Sequence, residues 1–145
     1  MLNDAHISNA LNALSYEERF GCYTGTVEID GVLIDLMLHT DDADDLTPAL
    51  RRAREVLHEF PAYHHLAEAY AAQELLPLKN DLWLEEDEPL VTEIEFKQRL
   101  TPEALVFYAE GDVVFYFQDG DLFWGHTVEL MLDAADRFIH AVIAG

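Results

Sequence analysis

Two hydrophobic periods divide the chain. Apolar residues at helical spacing in the first 14 positions predict a short opening helix. From residue 21 the period changes to two, as in a half-buried strand, until Asp30-Gly31 gives a strong hairpin-turn signal. The residues that follow, up to Leu38, are largely apolar on both faces. The pattern therefore predicts a β-hairpin whose second strand is central in a sheet.

The middle of the chain returns to helical spacing. Thr47 and Pro48 predict a helix start, as an N-cap followed by proline at the first helical position. An apolar stripe then runs to Phe60, and Arg52 is expected on the opposite, solvent-facing side. Pro61 interrupts this helix and predicts that a second one begins there.

Further along, Pro77 predicts the end of the second helix, and residues 78–89 read as a surface loop. Thr92 and Glu95 have the spacing of a capping box. We therefore expect a short helix that follows Thr92 and continues to about Arg99.

The last third of the chain predicts strands. Apolar and β-branched runs lie between the turn signals in four segments: Ala104–Ala109, Val113–Gln118, Leu122–Asp133 and Phe138–Ile143. The predicted fold class is α+β. We expect an antiparallel sheet of about six strands, an N-terminal hairpin plus a C-terminal four-strand meander, with two to four helices packed on one face.

Length and composition favour one cytoplasmic domain spanning residues 1–145. The chain has 145 residues, of which 50% are hydrophobic, enough to bury a core without disulfides. Its single cysteine, Cys22, cannot form an internal disulfide. The N-terminus lacks the features of a signal peptide, and no stretch has the length of apolar residues needed to span a bilayer.

Charge is the most extreme property of the sequence. It carries 29 Asp and Glu against 8 Lys and Arg, a formal net charge of -21. Such a field repels nucleic acids and anionic membranes, and it attracts a basic protein partner. Two acidic runs form the expected acidic surface: Asp41, Asp42, Asp44 and Asp45, then Glu85, Glu86, Asp87 and Glu88. The alternative is that the acids only keep the protein soluble.

His126 is the residue with the most interesting chemistry. Strand alternation places it on the core-facing side, and a hairpin turn near residue 135 would put His140 opposite Leu130 on that same side. With Asp119 or Asp121 nearby, the two histidines could form a metal or proton-transfer site. The alternative is a hydrogen-bonded core histidine that fixes the preceding turn.

Other candidate chemistry is weaker. Trp124 and neighbouring aromatic residues could line a ligand site, although aromatics at such junctions more often pack in a core or interface. No catalytic motif, phosphate-binding glycine loop or paired-cysteine zinc signature occurs in the sequence. We therefore expect no cofactor and no metal, and we lean away from an enzyme.

The octet DGDLFWGH, residues 119–126, resembles a turn and strand shared by a bacterial family of uncharacterised domains. Asn80, Trp83, Thr92 and Phe96 match the spacing of the middle part of that family. The resemblance implies a compact cytoplasmic α+β domain and carries over no catalytic residue. By fold-level analogy, a small acidic protein of this kind also resembles the immunity proteins that neutralise toxins.

Three functions follow from these observations. The leading hypothesis is a module that binds a basic protein partner, including a toxin-neutralising immunity protein. The second is an enzyme or metal-dependent sensor centred on His126 and His140. The third is a structural homodimer formed through long edge strands.

Overall fold

The computed structural model describes residues 2–145, in which four helices and seven strands are present. The helices are α1 (Asp4–Asn12), α2 (Thr47–His58), α3 (Phe60–Leu82) and α4 (Glu93–Arg99). The strands are β1 (Ser15–Glu17), β2 (Cys22–Ile29), β3 (Val32–Leu38), β4 (Thr101–Phe107), β5 (Val113–Gln118), β6 (Thr127–Leu132) and β7 (Phe138–Ala144). The predicted α+β class is confirmed, with seven strands rather than about six.

All the strands lie in one sheet, in the order in which they occur along the chain. Five neighbouring pairs are antiparallel, but β3 and β4 are parallel, with Asp35 beside Ala104 and Leu38 beside Phe107. The expectation of a purely antiparallel sheet is therefore wrong at this one pair. A parallel pair needs a long crossover, and the segment with α2, α3 and α4 supplies it.

The helices cover one face of the sheet. Alternate strand residues point into a core shared with the helices, among them Val27, Leu36, Phe107, Phe115 and Leu130. The small residues Ala53, Ala67 and Ala71 bring α2 and α3 close to the sheet, because they occupy little space at the contact. Among residues 2–145, no helix combines the length and apolar character that a membrane span requires.

Arg52 lies on the buried side of α2, so the expectation that it faces solvent is wrong. Its Nε donates to the carbonyl of Gly111 at 2.8 Å, and Nη2 donates to the carbonyl of Asp133 at 3.0 Å. Its Nη1 also lies 2.8 Å from Oδ1 of Asp136. One guanidinium therefore ties the β4–β5 and β6–β7 turns to α2. The helix itself is capped at Leu46, without a side-chain bond, rather than at Thr47.

Pro77 does not end α3, which continues to Leu82. A proline inside a helix removes one backbone hydrogen bond, and the contacts of the last turn offset that loss. Asn80 donates to the carbonyl of Val91 at 3.0 Å and accepts from its amide at 2.8 Å. The predicted cap of α4 is confirmed, because Thr92 accepts a hydrogen bond at the start of that helix.

Candidate functional site

Residues 119–126 form a turn, here called the octet loop, and β6 begins only after it. The strand expected from Leu122 is therefore wrong over its first five residues. Asp119 organises the loop from a buried position, 4% exposed. Its carboxylate accepts hydrogen bonds from the amide of Asp121 at one oxygen and from the amides of Phe123, Gly125 and His126 at the other. Both oxygens of Asp119 are thus occupied by backbone.

The octet loop has an unusual backbone. Asp121 and Trp124 have positive φ angles of 65° and 58°, which residues other than glycine rarely adopt. Gly120 has a φ of 56°, and an added Cβ there would lie 2.3 Å from the carbonyl oxygen of Arg99. Arg99 also donates from Nε to the Gly120 carbonyl at 2.9 Å. Contacts with Arg99 of α4 therefore fix the position of Gly120 in the loop.

Aromatic contacts join the octet loop to the end of α3. Trp124 is half exposed, and its Nε1 donates to the carbonyl of Trp83 at 3.1 Å. The Trp83 ring also packs edge-on against Phe123 and His126, with centroids 5.6 and 5.4 Å away. Trp83 and Phe123 are thus packing residues, while Trp124 presents part of its ring to solvent.

His126 and His140 are not brought together. The β6–β7 register pairs His140 with Met131, and Leu130 with Ala141, so the predicted pairing of His140 with Leu130 is wrong. His126 precedes β6, donates from Nδ1 to the carbonyl of Phe123 and packs against Trp83, the residue that follows α3. About 17 Å of strand separates the two histidines, at ~3.4 Å per residue, and they lie on opposite sides of the sheet.

The octet loop lines a shallow polar cleft of about 400 Å³. Asp119, Asp121 and His126 all contribute to it, together with Glu103 and Thr127. Backbone amides occupy both oxygens of the Asp119 carboxylate. The other carboxylates that line this cleft are those of Glu103 and Asp121. Within residues 2–145, no group of three or more His, Cys, Asp or Glu side chains is placed to hold a metal ion.

The two acidic runs lie near opposite ends of the sheet, and part of each has an internal role. Asp41 accepts hydrogen bonds from the amides of Ala43 and Asp45, and Asp45 accepts one from the amide of Thr47, the first residue of α2. The hydrogen bonds from Thr47 lower the pKa of Asp45. The remaining exposed acids of this run, Asp42 and Asp44, lie at the β3–α2 connection, near the β4–β5 turn.

Glu88 has the internal role in the second run. It receives a hydrogen bond from the amide of Glu85 and pairs with Lys79, contacts that lower its pKa. It also faces Arg99, which contacts the octet loop. Three members of this run are exposed: Glu85, Glu86 and Asp87.

Sequence reasoning missed a surface on the sheet, the side that the helices do not cover, here called the helix-free face. A cross-strand row runs across its centre from β2 to β7: Thr24, Met37, Val106, Val114, Met131 and His140. Val106 and Val114 are only 5% and 3% exposed, yet they lie outside the core that the helices share. Their neighbours on the sheet shield them. The sequence feature that could have revealed this surface was the run of strand residues that are apolar on both faces of the sheet.

Carboxylates lie along one side of this central row. The next row contains Asp35 on β3 and Glu129 on β6, and Glu28 lies further along β2. Tyr116 donates to Glu129 at 3.3 Å, and burial together with this carboxylate raises the pKa of Tyr116. None of the eight Lys and Arg residues lies in any strand. The helix-free face therefore combines an apolar centre with negative charge.

Together these features define an acidic α+β protein whose sheet keeps one face free of helices. The chain belongs to DUF2262, a family of uncharacterised proteins conserved in bacteria, whose family model matches residues 8–143. The resemblance inferred from the sequence is thus confirmed at the level of the family. Neither a curated protein nor a solved structure matches the chain.

Proposed function

We propose that this protein is a binding module for a basic protein partner and that the helix-free face is its contact surface. The observation that carries the proposal is a row that is apolar at its centre with carboxylates beside it, on strands that contain no Lys or Arg. Protein interfaces commonly have such an apolar core with a polar rim. A basic partner supplies the charge that this rim lacks.

The dimensions of the surface suit a protein partner. Five strand spacings of ~4.8 Å make the central row about 24 Å wide. Three of its six residues are half-buried, namely Thr24, Met37 and Met131, and His140 is exposed, so a partner can desolvate them without disturbing the core. The flanking carboxylates would speed association with a basic protein, at a rate that falls as salt is added.

Charge also favours a different protein over a second copy of this chain. Each copy carries a net charge of -21, so two copies repel each other as they approach. β7 is an edge strand and contains no charged residue, which leaves a homodimer as an outcome that the experiment must detect. A catalytic centre built on His126 and His140 has no support from their separation.

More specifically, we propose that the protein is an immunity protein that neutralises a toxin. A toxin that acts on nucleic acid has a basic binding surface, because it must neutralise phosphate charge. An acidic face of complementary shape would compete with the nucleic acid for that surface. Charge complementarity supports this step.

The test is affinity capture with the tagged protein from a lysate of the source bacterium. Any captured partner is then purified, and the Kd of the complex is measured at two salt concentrations. Two charge-reversal variants locate the surface. Glu129→Lys acts on the helix-free face, and Glu74→Lys makes the same change on the exposed side of α3.

We expect a partner rich in Lys and Arg, and a Kd that rises with salt. Glu129→Lys should weaken binding by about tenfold, because it places like charge against the partner. Glu74→Lys, with the same net charge, should stay within about twofold, since screening limits its reach. Equal losses from both variants, or capture of only the chain itself, would refute the proposal.

A further inference from the structure

The helix-free face contains a pocket at its β2–β3 end. The pocket has a volume of about 500 Å³, within the usual range for ligand sites. Side chains of Thr24, Thr26, Asp35 and Met37 form it, and Phe20 from the β1–β2 turn lies at its rim. Most of the pocket surface is apolar, and Asp35 is the charged residue among those that line it.

We infer that this pocket receives an arginine side chain of the basic partner. The inference rests on the proposed function and names the group by which the partner is held. The long aliphatic part of an arginine would lie against Met37, and its guanidinium would reach Asp35. Hydroxyls of Thr24 and Thr26 offer further acceptors beside that carboxylate.

Phe20, the aromatic residue at the rim of the pocket, favours arginine over lysine. A guanidinium is planar and weakly hydrated, so it stacks on aromatic rings and pairs with a carboxylate through two hydrogen bonds. Phe20 is half exposed, and the Cζ atom of Arg19 already lies 4.9 Å from its ring centroid. One face of this ring is therefore taken by the protein's own guanidinium, and an arginine of the partner would stack on the other face. A lysine ammonium would gain less from the same surroundings.

The test uses small probes and needs no partner. N-acetyl-arginine amide, N-acetyl-lysine amide and N-acetyl-norleucine amide are titrated into the ¹⁵N-labelled protein, and backbone amide shifts are followed by NMR. The norleucine probe has an apolar side chain of similar reach without the charge. Asp35→Asn removes the carboxylate of the pocket, and Glu28→Gln removes one negative charge elsewhere on the same face.

The arginine probe should shift the amides of Thr24, Thr26, Asp35 and Met37 in a saturable manner, and it should bind more tightly than the other two. Asp35→Asn should weaken its binding by about fivefold, the upper range for a solvent-exposed ion pair. Glu28→Gln should change it by less than about twofold. Each variant is first shown to keep the wild-type spectrum away from its own position.

Equal binding of the norleucine probe, or no loss in Asp35→Asn, would overturn the inference. If the probe fails while Glu129→Lys still weakens partner binding, the arginine site is wrong and the proposed function stands. If the probe binds as expected and no basic partner is captured, the proposed function fails and the pocket remains a guanidinium site.

Discussion

Lys79 is fully buried in the last turn of α3, and its ammonium lies 2.9 Å from Oε1 of Glu88. The same ammonium donates to the carbonyl of Trp83 at 2.7 Å. Glu88 also accepts a hydrogen bond from the amide of Glu85 and forms a second ion pair with Arg99. This pair therefore connects α3, the following loop and α4, which together support the octet loop.

Glu88→Gln should destabilise the protein by about 2 kcal/mol. Breaking a fully buried ion pair costs roughly 3–5 kcal/mol, and the partial exposure of Glu88 reduces that figure. Urea unfolding followed by circular dichroism measures the change. The double variant Lys79→Met with Glu88→Gln should be less destabilised than the sum of its single variants, because it leaves no buried cation unpaired. Strict additivity would argue against a coupled pair.

Asp119→Asn should destabilise the protein by about 2–3 kcal/mol. The amide side chain keeps one acceptor oxygen, so at least one of the four backbone amides bound by Asp119 is left unsatisfied. Asp121→Asn is the matched control: this residue is exposed, and asparagine tolerates its positive φ. It should change the stability by less than about 0.5 kcal/mol. Similar urea midpoints for the two variants would contradict this role of Asp119.

Gly120→Ala should destabilise the protein by more than about 3 kcal/mol, since the new Cβ would meet the carbonyl oxygen of Arg99 at 2.3 Å. Gly125→Ala separates this clash from backbone strain. Gly125 also has a positive φ, 88°, but nothing lies within 4 Å of an added Cβ. Its substitution should cost about 1–2 kcal/mol. Thermal unfolding compares the two, and equal losses would mean that strain alone determines the effect.

Asp133 makes the stability depend on acid pH. The amide of Arg137, the amide of Ala135 and the Arg137 guanidinium lower the pKa of this carboxyl in the folded protein. The charged Asp133 carboxylate therefore contributes its full stabilisation above its pKa in the unfolded chain, about 4. That stabilisation is lost as the pH falls through the lower pKa that this group has in the folded protein. The stability difference between wild type and Asp133→Asn should be constant from pH 7 to 5 and shrink below pH 4.

Unfolding by urea at several pH values measures that difference, and the overall change in net charge largely cancels because both proteins share it. NMR titration of the carboxyl carbon of Asp133 provides an independent readout. A stability difference that stays unchanged down to pH 2.5 would show that the turn contacts of Asp133 do not stabilise its charged form.

Local signals predicted much of the fold. The Asp30-Gly31 turn, the break before Pro61 and the Thr92 cap each depend on a few adjacent residues, and the structure contains all three. The parallel pairing of β3 with β4 depends on residues far apart in sequence, so no local pattern reports it. β1 was missed because it has only three residues, none of them buried.

The candidate site was harder to predict, because it depends on register. A bulge between Met131 and Leu132 shifts the β6–β7 pairing by one residue, and a one-residue shift moves a side chain to the other face of a sheet. His140 therefore lies on the helix-free face rather than near His126. The carboxylates on that face could be counted from the sequence, but only the pairing of the strands places Asp35 and Glu129 beside the same apolar row.

The parallel β3–β4 pair also affects how the chain is made. Asp35 pairs with Ala104, about 70 residues later, and a ribosome adding 5–20 residues per second needs several seconds to reach that point. During this time β3 is an unpaired edge that other nascent chains can join. The charges of Asp35 and of the acidic run after β3 oppose such association. We therefore expect part of the acidic composition to oppose aggregation before the sheet is complete.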